Sequence, residues 1–137
     1  MNIKSIFLNL ILLTVSGFLF AQNAPLKFIQ SVQKFGKIDE GTKVELEYNF
    51  VNNSDEPIII NDFKVNCTCT IVNFSKSPIK PNEKSVVSVS FDSEGKIGYQ
   101  ERKIELLTNK GTAIIVFKGV VNATEKTKEE HKNQEHN

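Results

Sequence analysis

The feature that most constrains this chain is a hydrophobic period of two. Val44, Leu46, Tyr48 and Phe50 alternate with Lys43, Glu45, Glu47 and Asn49. In an extended chain this puts four apolar side chains on one face and the polar ones on the other, the mark of a half-buried strand. The pattern recurs. Val87, Val89 and Phe91 alternate with Ser88 and Ser90, and Ile104 and Leu106 with Lys103 and Glu105. Ala113, Ile115 and Phe117 alternate with Ile114, Val116 and Lys118 in a run apolar enough to predict a central strand. Tyr48, Phe50, Val89, Phe91 and Phe117 are the expected inward residues.

Turn chemistry divides these runs. The cluster Asn52 to Pro57, the loop Ser75 to Lys84 with Pro78 and Pro81, the turn Asp92 to Gly98 and the hairpin Thr108-Asn109-Lys110-Gly111 fall between them. After Pro57 the β-branched run Ile58 to Ile60 restarts a strand that continues to Phe63 and Val65. The apolar face jumps by three from Ile60 to Phe63, which predicts a bulge near Asn61 and Asp62. With weaker segments at Leu26 to Val32 and Thr70 to Phe74, the count is about seven strands with a turn every eight to twelve residues. That is the pattern of an all-β, immunoglobulin-like β-sandwich. A barrel of the same strands has the same local pattern. No candidate helix and no internal repeat is visible.

The ends differ from the middle. Lys4, the apolar stretch Ile6 to Phe20 and Ala21 have the basic, apolar and small-residue regions of a secretory signal, with cleavage expected after Ala21. No cysteine adjoins that site, so no lipid anchor of the bacterial type is expected. Residues 22–122 are then the folded domain, periplasmic or extracellular, with no membrane insertion after signal cleavage. Residues 123–137 read as a charged, disordered tail in which a frayed helix is the most structure expected.

Charge and residue inventory narrow the function. There are 17 Lys and Arg against 16 Asp and Glu, and loss of Lys4 with the signal balances the charge. Such a balance argues against nucleic acid as a partner. The two histidines, His131 and His136, lie in the tail, so no histidine-based metal site or triad is expected inside the domain. Glu45 and Glu47 lie on an outward face, and Glu101 and Glu105 are interspersed with Arg102 and Lys103. None has the apolar setting of a catalytic acid. The stretch Asp92-Ser93-Glu94-Gly95 lacks the spaced ligands of a calcium loop and reads as a polar turn. The sequons at Asn52, Asn66, Asn73 and Asn122 read as polar turn and loop residues.

Cys67 and Cys69 are the one chemical constellation. In an oxidising compartment two cysteines default to a disulfide. Residues i and i+2 of an extended strand stand ~6.6 Å apart, so a bridge here needs a kink. Reduced, the pair offers two soft thiolates suited to Cu(I) or to redox exchange. Inert structural sulfurs and an intermolecular bridge are the other readings.

Several strings together resemble a known family. Phe35-Gly36-Lys37-Ile38, Glu40-Gly41, Phe50-Val51-Asn52-Asn53, Asn66-Cys67-Thr68-Cys69-Thr70, Ile79 to Lys84 and Val89 to Ser93 make the chain similar, over Phe35 to Val121, to bacterial domain-of-unknown-function family 1573. The resemblance implies a secreted immunoglobulin-like domain related to Hydin-type sandwich modules. Members commonly have Cys-Gly-Cys-Thr where this chain has Cys67-Thr68-Cys69-Thr70. Together these readings lead to an exported, non-enzymatic module that binds a protein or envelope component, with a thiol-redox or Cu(I)-binding role through Cys67 and Cys69 as the alternative.

Overall fold

The computed structural model describes residues 24–134. The segment 1–21 read as a secretory signal, and His136, lie outside them. The strands in chain order are β1 (Leu26–Phe28), β2 (Val32–Asp39), β3 (Lys43–Asn52), β4 (Ile60–Lys64), β5 (Thr70–Phe74), β6 (Lys84–Asp92), β7 (Gly98–Thr108) and β8 (Gly111–Asn122), followed by helix α1 (Glu125–Gln134). They form two four-stranded sheets, one in the order β1-β3-β6-β5 and the other β2-β8-β7-β4. The sheets remain separate, so the architecture is a sandwich and not a barrel.

Strand number is corrected from about seven to eight. The weak segment Leu26 to Val32 is the end of one strand and the start of another. β1 pairs with β3 in the first sheet, whereas β2 pairs in parallel with β8 in the second. Sequence patterning misses β2 because a bulge at Phe35, marked by the register shift between Lys34 and Gly36, breaks its period of two. The bulge expected near Asn61 is present as a register shift between Ile60 and Asp62. β8 lies centrally, as its apolar run predicts.

The expected inward set is the core. Tyr48, Phe50, Val89, Phe91 and Phe117 are each no more than 1% exposed. Phe91 of the first sheet meets Phe117 of the second at 5.2 Å between ring centroids. Tyr48 ties the sheets together, its hydroxyl donating to the Val116 carbonyl of β8 at 2.9 Å. Burial raises the Tyr48 pKa far above its ordinary value of 10.0. The unfolded chain therefore ionises this phenol first, and stability present below pH 10 is lost as pH rises above it. Tyr48→Phe is expected to cost about 1 kcal/mol at pH 7 for the lost hydrogen bond. It should also flatten the alkaline loss, read as urea midpoints at pH 7 and above pH 10.

Asn52 is read from sequence as a turn residue, yet it is fully buried. Its amide nitrogen donates to the carbonyls of Glu56 and Ile79, and its amide oxygen accepts from the Ser54 backbone and hydroxyl. It pins two loops at one end of the sandwich, and its sequon is structural.

The absence of any helix is also corrected. Residues Glu125–Gln134 wind into α1, whose sequence EKTKEEHKNQ contains no apolar residue. There is no apolar period to read in such a stretch. The start is set by Thr124, whose hydroxyl accepts from the Thr127 amide. The Thr127 hydroxyl donates to Glu40, tethering the helix to the β2–β3 turn.

Candidate functional site

β4 and β5 are edge strands of different sheets, and residues 65–69 carry the chain across the corner between them. The Thr70 amide donates to the Cys67 carbonyl at 3.4 Å, closing a turn centred on Thr68 and Cys69. This is the kink that a Cys67–Cys69 bridge requires. The two Cα atoms stand 5.2 Å apart and the sulfurs are joined in a disulfide. Among the described residues the non-glycine residue with positive φ is Asn82, not Thr68. A β-branched residue thus occupies the middle position without left-handed strain.

Both cysteines are half-buried. The Cys69 amide donates to Cys67 Sγ at 3.2 Å, and the Thr70 hydroxyl lies 3.8 Å from Cys69 Sγ. The Cys69 carbonyl accepts from the Asp92 amide at 2.9 Å, anchoring the turn to the end of β6. Phe63 and Phe74 meet edge to face across the corner, with Lys76 above the Phe74 ring. Each cysteine lines a different groove. Cys69 faces one with Lys43, Ser90, Asp92, Glu94 and Lys96, and Cys67 one with Phe63, Val65, Asn66, Thr68 and Thr70. While bridged, the sulfurs offer no thiolate to Cu(I), so the copper reading concerns the reduced pair alone.

The carboxylates are engaged locally. Asp92 accepts from the Glu94 amide and Glu40 from the Gly95 amide, so the 92–95 stretch is a turn braced by side chains. Glu105 is held below the usual carboxylate range by its hydrogen bond and ion pair with Lys103. Glu45 accepts from Ser90 on the outer face of the first sheet. Among the described residues, no three His, Cys, Asp or Glu side chains are grouped to hold a metal.

A second feature, at the opposite end and edge, escapes sequence reading. Because β1 belongs to the first sheet, the β2–β8 ladder begins only at Val32↔Val116. The Val116 amide donates to Ser31 on that side. By the alternation of a ladder, the backbone groups of Ile114 and Thr112 point the same way, where no strand lies beside them among the described residues. Next to them runs a groove lined by Leu26, Phe28, Ser31 and Ala113 and containing no charged residue. Ile29, 80% exposed, and Ile114, 46% exposed, mark the same region. No local pattern could disclose this, since it depends on which sheet the first strand joins.

Two stacked four-stranded sheets with an amino-terminal strand that switches between them define an immunoglobulin-like β-sandwich. Solved structures share that fold. A protein of unknown function from Porphyromonas gingivalis W83 aligns at 14% identity with a TM-score of 0.60, over 69% of this chain and 46% of that one. The ASH/PapD-like domain 7 of human CEP192 aligns at 8% identity and 0.58, over 76% and 89%. The secreted serine protease VesC of Vibrio cholerae aligns at 14% and 0.56, over 73% of this chain but only 24% of the protease. The chain therefore spans about half the length of the Porphyromonas protein and a quarter of the protease. At these identities the likeness is one of fold. No curated protein matches. The chain belongs to the family described as protein of unknown function, DUF1573, which matches residues 26–121.

Proposed function

We propose that this protein is an exported, non-enzymatic module that binds another protein by taking up an extended segment as an added strand along β8. One observation carries the reading: among the described residues the backbone of Thr112 and Ile114 has no partner on the β2 side, beside the groove over Leu26, Phe28 and Ala113. Unpaired strand edges are templates for strand addition, in which main-chain hydrogen bonds supply affinity and alternate side chains fill pockets. The uncharged lining fits a segment with apolar residues at every second position. The signal-like segment 1–21 supports export.

The test places a photoreactive residue at Thr112 in the intact protein and irradiates the envelope fraction. Intact mass there is expected to begin at Gln22. A defined protein adduct should form with the parent and disappear with Ile114→Pro. That change removes an amide facing the open edge, so thermal stability should scarcely move. Absence of an adduct, or an adduct that survives the proline, would overturn the reading.

A further inference from the structure

We propose that the Cys67–Cys69 disulfide is an electron-accepting site for a dithiol, with Cys69 the sulfur attacked and Cys67 the sulfur expelled. The inference is independent of strand binding, since the corner and the β8 groove lie at opposite ends of the sandwich.

The first observation concerns what the bridge does not do. It joins residues two apart, so it closes almost no loop, and a disulfide stabilises chiefly by restricting long loops in the unfolded chain. The corner is instead held by the Cys69–Asp92 backbone hydrogen bond and by the Phe63–Phe74 contact. The fold therefore does not depend on the bond, which can open in the native state.

The second observation sets the polarity. Thiol–disulfide exchange runs in line, so a nucleophile reaches each sulfur from the side facing away from the other. The Cys69 side is the groove with the ammonium groups of Lys43 and Lys96, alongside Asp92 and Glu94. The Cys67 side is lined by Phe63, Val65, Asn66, Thr68 and Thr70 and carries no charge. Of the two grooves, only the one on the Cys69 side carries ammonium groups that attract an incoming thiolate. The leaving sulfur must then hold negative charge, and Cys67 Sγ already receives the Cys69 amide at 3.2 Å. The Thr70 hydroxyl stands farther from Cys69 Sγ, at 3.8 Å.

The electron count closes. One thiolate of the dithiol forms a bond to Cys69 Sγ, the Cys67–Cys69 bond breaks, and its electron pair stays on Cys67 as thiolate. The second thiolate of the donor attacks the donor's own sulfur in the mixed disulfide and expels Cys69. The donor leaves as a disulfide, and its two protons end on Cys67 and Cys69. Two electrons have moved to the protein.

Dithiothreitol is the dithiol probe for the intact folded protein. Two thiols per chain should appear with the strand circular-dichroism signal and urea midpoint retained, whereas thiols that appear only on unfolding would overturn the proposal. Reduced glutathione, which cannot complete the second step intramolecularly, followed by acid quench, alkylation and peptide fragmentation reads the site of attack. Glutathione should be found on Cys69 several-fold more often than on Cys67, and the reverse distribution or an even one would overturn the polarity. Cys69→Ser keeps the amide that faces Cys67. Its single thiol should titrate below the ordinary value of about 8.5 and below that of Cys69 in Cys67→Ser. Equal midpoints would remove the basis for Cys67 as leaving group.

Discussion

Phe117→Ala should lower the stability of this protein by about 3–5 kcal/mol, a large share of the ~5–15 kcal/mol that holds a domain of this size together. Phe117 is fully buried on the central strand β8. Its ring meets Phe91 at 5.2 Å and Phe35 at 6.2 Å. Truncation removes the transfer free energy of the ring and leaves a cavity between two sheets whose backbones are fixed by their ladders. Neighbouring rings can fill only part of it. The denaturant midpoint is the measurement. An unchanged midpoint would mean that β8 presents its other face to the core, because a slip of one residue exchanges the buried and exposed sets.

Gly119→Ala should destabilise by about 3 kcal/mol, the upper end of what overpacking costs, although it adds a single methyl group. A Cβ at this position would lie 2.3 Å from a ring carbon of Phe35 and 2.6 Å from the Gly36 carbonyl oxygen. Gly119 pairs with Gly36 beside the β2 bulge, and the Phe35 ring lies across the space a side chain would need. That ring also packs on Phe91 and Phe117, so it cannot turn away without opening the core. In a double-mutant cycle Phe35→Ala and Gly119→Ala should together cost less than the sum of the two, since removing the ring relieves one of the two clashes. Strict additivity would show that the backbone contact alone sets the penalty. The cycle also gives a physical account of the Phe35-Gly36 pair, which in the sequence is only part of a family likeness.

The inward positions follow from sequence alone, because alternation is a property of each strand by itself. Tyr48, Phe50, Val89, Phe91 and Phe117 can be assigned to one face before any partner strand is known. The bulge near Asn61 is legible for the same reason, as a local break in that period. The Asn109-Lys110 hairpin turn is legible from its residues, and the need for a kink between Cys67 and Cys69 from covalent reach. Tertiary structure decided what depends on neighbours distant in the chain. Asn52 has the composition of a turn residue, and only the approach of the Ile79 carbonyl makes it a buried pin. That the two cysteines are bridged at a corner, each beside a separate groove, likewise depends on where β4 and β5 end. The open stretch of β8 arises because β1 hydrogen-bonds to β3 rather than to β8. A period of two tells each side chain which face to take, but hydrogen-bond partners lie in the plane of the sheet, where side-chain pattern carries no information. Which edge stays open, and so where a partner strand can add, is set only when the sheets assemble.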